Sequence, residues 1–303
     1  MKNKLLTIIL TLSFLSAGEL GGYSIFEYNN SAFEINRVYL QYTDNLSEEL
    51  FLKIRYDVGR DEPGKDGKFE TYLKNAYVDL DVKDVGKISL GLISTNSYSV
   101  QESNWGYRFI AKSVPDMYKF TNTADLGIGV SRQIGDFNLS FQALNGEGYK
   151  NKAEDETFSS YVRLVYGETK LKKNDGYNVG LVYNNNSNTD ETLFGIFAGY
   201  SSKEKNLRAG FDYNVFETVG MTEQVVSAYS IFKYQRNEKV NILFRFDRYS
   251  QEDVLNSEVD KVLIGLVFNP IKSLYISPNV AMSSVANQDD YDNDFRLTFM
   301  FKY

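Results

Sequence analysis

From about Gly21 to the last residue, apolar and polar side chains alternate with a period of two. Leu50, Leu52, Ile54 and Tyr56 interleave with Phe51, Lys53, Arg55 and Asp57, and Phe137, Leu139, Phe141 and Ala143 with Asn138, Ser140 and Gln142. The same rhythm runs through Leu207–Val215 and Val240–Asp247. A period of two describes strands with one apolar and one polar face. Each run is about ten residues long, which is what a tilted strand needs to cross a bilayer. Short turns (134–136, 235–238, 269–272) trade places with longer polar links (59–68, 145–156, 185–190, 250–258, 284–293), the habit of barrels whose two rims differ. Phe295, Leu297, Phe299, Phe301 and Tyr303 alternate to the very end, so the chain finishes inside a strand. Counting back from there gives fifteen segments to Ser31–Thr43, and Gly22–Asn29 supplies the one that an even number requires. The expected fold is an all-β transmembrane antiparallel β-barrel of about sixteen strands, with fourteen as the alternative, short periplasmic turns and longer extracellular loops. Pro278 falls inside the fifteenth segment, where a closed barrel has no edge to hold it, and predicts a bulge or a displaced boundary.

Composition narrows the chemistry. The 303 residues include no His and no Cys, which excludes disulfides, thiolate metal sites and a histidine general base; no metal or cofactor is expected. A formal charge of −7 lacks the basic footprint of a nucleic-acid binder. The 23 Tyr and 21 Phe recur near strand ends, as at Tyr42, Tyr56, Tyr166, Tyr177, Tyr200, Tyr234 and Phe268, where they suit interfacial girdles. A soluble sandwich would alternate too, but its apolar face must meet a second sheet. At the start, Lys2 and Lys4, the apolar run Leu5–Phe14 and the small residues Ser16–Ala17–Gly18 read as a signal peptide over residues 1–18. Residues 19–303 are then the barrel, and the expected location is the outer membrane of a Gram-negative-type cell.

Ser94–Thr123 breaks the rhythm. It lies between the fifth and sixth strands on the long-loop side and holds the one Trp, Trp105, with Tyr98, Tyr107, Phe109, Ile110, Val114 and Tyr118. So many apolar groups call for burial, and the barrel interior is the nearest cover. The segment is therefore expected to fold inward as a constriction loop carrying Glu102, Trp105, Arg108, Lys112 and Asp116. By parity Arg37, Lys53, Arg55, Arg163, Arg208, Arg245, Lys261 and Arg296 point inward as a basic wall, joined by Asp57, Asp79, Asp125, Asp212 and Asp247. Glu102 and Asp116 are expected to face this wall from the loop. A ring of one charge sign filters ions by sign. The competing expectation is that these charges only pair with one another. Acidic clusters at 61–66, 154–156 and 289–292 would make the outer vestibule negative, so the two effects oppose each other.

Several stretches resemble the phosphate-selective porin O/P family and related trimeric porins. They are Phe33–Val38, Asp44–Ser47 leading into Leu50–Tyr56, Leu73–Val78, Lys87–Gly91, Asp125–Ile128 and Phe141–Gly148. The resemblance implies a sixteen-stranded, usually trimeric, water-filled barrel with its third loop folded inward. It implies lipid, lipopolysaccharide and the barrel-assembly machinery as partners, the last through the C-terminal strand. Phosphate selectivity in that family uses a ladder of inward Arg with Lys in the constriction. Here Arg108 and Lys112 occupy the matching loop without a continuous Arg ladder, so scaffold and channel carry over and the substrate does not. The expected function is passive diffusion of ions and small hydrophilic solutes; the alternative is a structural or adhesive barrel with a plugged lumen. An enzyme is not expected, because no paired acids in a pocket stand in for the missing His.

Overall fold

The computed structural model describes residues 18–29, 32–60, 67–152, 157–187, 189–286 and 291–303. The proposed signal peptide up to residue 17 and the acidic residues at 61–66, 154–156 and 289–290 lie outside them. Sixteen strands form, in chain order β1 (Glu19–Asn29), β2 (Ala32–Asn45), β3 (Leu50–Arg60), β4 (Phe69–Val82), β5 (Gly86–Ser94), β6 (Ala124–Ile134), β7 (Phe137–Leu144) and β8 (Ser159–Gly167). The second half holds β9 (Gly176–Asn186), β10 (Glu191–Ser202), β11 (Leu207–Thr218), β12 (Met221–Lys233), β13 (Val240–Gln251), β14 (Val259–Ile271), β15 (Leu274–Val285) and β16 (Asp292–Lys302). Each strand pairs antiparallel with its sequence neighbours, and β1 pairs with β16, so the sheet is a closed barrel. Closure leaves no row of unpaired backbone groups, the condition for sitting in hydrocarbon.

The seam is tight. Gly22 exchanges backbone hydrogen bonds with Tyr303, N–H to O at 2.9 Å and the reverse at 3.2 Å. A Cβ on Gly22 would collide with the Tyr39 carbonyl and the Tyr303 ring, so only glycine lets β1 lie between β2 and the chain end.

Outward positions are apolar and exposed, including Leu40, Leu90, Leu126, Ile128, Phe141, Phe194, Ile196, Phe211, Phe244 and Ile264. Aromatics concentrate outside at one rim, where Phe137 meets Tyr166 (ring centroids 5.1 Å) and Tyr166 meets Tyr177 (6.2 Å), with Tyr200, Tyr234 and Phe268 further round. An apolar belt edged by Tyr and Phe matches a bilayer's hydrocarbon and headgroup layers. The rim carrying these aromatics has tight connections at 83–85, 135–136 and 272–273. Among the described residues, two connections depart from the expected contrast between rims. The link 168–175 on this rim is long and folds back with Leu171 buried, and 219–220 on the opposite rim is a tight hairpin with Gly220 at φ 74°.

At Pro278 the β14–β15 ladder skips from Gly265↔Asn279 to Phe268↔Ile276, then shifts register before Ile271↔Leu274. The partner side stays regular, with Pro278 opposite Leu297. The missing N–H thus interrupts one ladder only, and the strand boundary stands.

Candidate functional site

The segment between β5 and β6 contains two short helices, α1 (Ser99–Trp105) and α2 (Val114–Met117). Gly106 ends α1 in the left-handed conformation (φ 73°), donating its N–H to the Glu102 carbonyl at 2.8 Å. Ser113 in extended conformation and Pro115 in the first turn start α2.

Apolar groups of the segment pack on strand side chains that alternate with the exposed outer belt. Trp105 is 1% exposed and meets Tyr229 edge-on at 5.1 Å. It shares a cluster with Tyr107, Phe109 and Ile110 of the segment, Ile25 of β1, Leu243 of β13, Leu263 of β14 and Met300 of β16. Val114 and Phe120 cluster with Leu193, Phe216 and Val225, and Val100 with Val165, Val182 and Phe197. Gly199 clears the space for Asn104 and Leu171, since a Cβ there would lie 2.6 Å and 2.7 Å from their side chains.

Polar clamps accompany the packing. Arg163 donates to Ser99 Oγ (2.7 Å), Arg208 to the Trp105 carbonyl (2.9 Å) and Arg245 to the Lys112 carbonyl (2.6 Å). Lys172, from the long 168–175 link, donates to the Gly106 carbonyl at 2.7 Å. Asn104 and Asn178 exchange amide hydrogen bonds of 2.8 and 3.0 Å, and Ser97 donates to Asn184 at 2.8 Å. Three side chains expected as open basic wall are therefore hydrogen-bonded to the segment itself. Fixed forks of donors suit carbonyl oxygens that the segment's own turns leave unpaired.

The segment's charges are arranged differently from the sequence expectation. Arg108 contacts Glu102 at 2.7 Å and Asp116 at 2.8 Å, and Lys112 contacts Asp116 at 3.2 Å. Glu102 and Asp116 thus do not face the strand wall as free charges; with Arg108 and Lys112 they neutralise one another within the segment. Burial pushes the Glu102 carboxyl above its ordinary value despite Arg108. Burial acts the same way on Asp116, but Arg108 and Lys112 more than reverse it, and that carboxyl lies below the usual aspartate value.

On the strands, Arg37 pairs with Asp57 at 3.0 Å, Arg245 with Asp247 at 2.8 Å and Arg296 with Asp294 at 3.4 Å. Asp57 also accepts from Tyr149 at 2.9 Å and lies 3.8 Å from Lys74. Parity missed Lys74. A bulge opposite Arg55/Tyr56 inserts it as the extra residue, so Lys74 and Asn75 are both buried while Leu73 stays exposed. Lys53, Arg55, Arg163, Arg208 and Lys261 have no ion-pair partner among the described residues. Arg55 donates to Gln41 (2.6 Å), and Lys53 and Lys261 lie over the rings of Tyr77 (6.0 Å) and Tyr118 (4.8 Å). The amide clamps had no sequence signal, because Asn and Gln at inward positions look like any solvated wall.

A closed sixteen-stranded antiparallel barrel with an apolar outside and charges within has the fold of outer-membrane porins. No protein-family model matches this chain, and no curated protein sequence matches it. Among solved structures, it is similar to OmpF of Salmonella typhi in complex with daunomycin, with 11% identity over 94% of this chain and 97% of that one, at a TM-score of 0.70. It is also similar to the anion-selective porin of Comamonas acidovorans (13% identity, 94% and 99% covered, TM-score 0.67). The outer membrane protein OmpT of Vibrio cholerae is a third (11%, 95% and 98%, 0.65). At these identities the likeness is one of fold.

Proposed function

We propose that this chain is an outer-membrane channel for ions and small hydrophilic solutes, without catalytic activity, narrowed by segment 95–123 folded into its lumen. The observation that carries the reading is the division of side chains in a closed barrel, with Leu, Ile, Phe and Tyr exposed outside and Arg, Lys, Asp and Asn alternating with them. Polar side chains on an inner wall are stable only against water or each other, and a barrel of this strand number is wide enough to hold both. Arg55, Arg163 and Arg208 carry charge that no neighbouring carboxylate cancels, and Lys53 and Lys261 stand near Asp79 and Asp247 without forming an ion pair, an excess that favours anions in the lumen. The similarity to an anion-selective porin agrees with that preference. Phosphate specificity does not follow, because Arg108 and Lys112 are engaged by Glu102 and Asp116. Assembly as a homotrimer, as the sequence resemblance implies, is part of the same proposal, with the leader at 1–18 directing export.

A plugged barrel is the second reading. It is favoured by how widely the segment reaches, from β1 and β16 through β12–β14 to β8–β10. Planar-bilayer recordings on the refolded chain separate the two. Discrete current steps support the channel; a folded barrel that never conducts supports the plug.

A further inference from the structure

On the side away from the aromatic rim, a cavity of about 580 Å³ opens between the segment and β13–β16. Its wall is a grid fixed by strand register. One row runs Asp247, Lys261, Ser283, Asp292 across β13, β14, β15 and β16; the next runs Arg245, Leu263, Ala281, Asp294. Ile110, Ala111 and Met117 of the segment face Leu263 and Ala281, giving an apolar middle between charged flanks.

Most charges here are already paired: Arg245 with Asp247, Arg296 with Asp294, Lys112 with Asp116. Lys261 and Asp292 form no ion pair among the described residues; Asp247, directly opposite Lys261, is held by Arg245. They stand in one row two strands apart, roughly 10 Å at the backbone, and side chains on the concave face converge from there. A ligand that completes the site needs a carboxylate for Lys261, an ammonium for Asp292 and an apolar group projecting sideways onto Leu263 and Ala281 in the next row. Two residues of extended chain span about 7 Å, whereas the charges of a single α-amino acid sit on one carbon.

We propose that this cavity is a binding site for short zwitterionic peptides, of two or three residues, bearing an apolar side chain. The proposal rests on the channel reading for solute access and on the cavity alone for affinity. The test uses leucylleucine as probe and its N-acetylated, C-amidated form as control, against the full chain and the variants Lys261→Gln and Asp292→Asn. Asp292→Asn touches no contact of the segment and Lys261→Gln removes only the ammonium over the Tyr118 ring, and unheated gel mobility checks that each barrel is folded. Binding is read by equilibrium dialysis in detergent, and current interruption in a planar bilayer is read separately. Saturable dialysis binding of leucylleucine, weakened tenfold or more by blocking the peptide's termini and by either variant, is expected. Equal retention of free and blocked peptide, unchanged affinity in both variants, or no retention at all overturns the site. Binding without conductance refutes the channel and leaves the site standing; conductance without binding does the reverse.

Discussion

Arg245→Met is the substitution that most directly weighs the clamp between wall and segment. Arg245 makes a two-pronged pair with Asp247 (2.8 and 2.9 Å) and donates a third hydrogen bond to the Lys112 carbonyl at 2.6 Å. The two side chains are only 3% and 5% exposed, so solvent screens them little. Met keeps the apolar stem but leaves Asp247 buried without its ion-pair partner, with only the more distant Lys261 opposite it and Asp212 also buried nearby. Breaking a buried pair from one side costs about 3–5 kcal/mol. Removing both members, as in Arg245→Met with Asp247→Leu, erases the uncompensated charge and leaves mainly the lost bond to Lys112, about 1.5–3 kcal/mol. The double variant should therefore be more stable than the single one. Urea unfolding in phospholipid vesicles, followed by the emission of Trp105 and by folded-band mobility on unheated gels, measures both. A single variant within 1 kcal/mol of the parent, or a double variant no more stable than the single, would show that Arg245 does not neutralise Asp247 in the folded barrel.

Other expectations are independent of that cycle. Trp105→Ala should lower stability by about 3–5 kcal/mol, since it empties the centre of the cluster around Tyr229, and Trp105→Phe should lower it less; chemical unfolding followed by circular dichroism checks both. Gly199→Val should cost about 1–3 kcal/mol by displacing Asn104 and Leu171, read by the same unfolding assay. Asp116, held below its unfolded value, contributes stability that is present above the ordinary aspartate range and lost as pH falls through its folded value. Asp116→Asn should accordingly flatten the acid limb of a stability–pH profile. Replacing residues 100–118 with a short Gly-Ser link should raise single-channel conductance if the segment narrows the lumen, and leave it unchanged if it does not.

The sequence carries the barrel because each strand must satisfy two solvents at once. Leu126, Ile128 and Phe141 outside, against Asp125, Gln142 and Arg163 inside, leave a period of two that local reading recovers. Trp105 and its apolar neighbours likewise announced a segment in need of cover. What the pattern could not give depends on backbone detail. Lys74 turns inward because of a bulge that parity cannot see. Arg163, Arg208 and Arg245 look like three more inward cations until the path of the segment brings Ser99 Oγ and the carbonyls of Trp105 and Lys112 to them. The pairing of Arg108 with Glu102 and Asp116 depends in the same way on the turns around Gly106 and Ser113. Charge type was legible; charge partnership was not.

Whether the barrel conducts is decided by single-channel recording of the refolded chain in a planar bilayer under a salt gradient. Stable current steps are expected, with a reversal potential leaning toward anions that is reduced in Lys53→Gln and Arg55→Gln, which remove cations held in no ion pair among the described residues. A correctly folded barrel that gives no steps would contradict the channel reading.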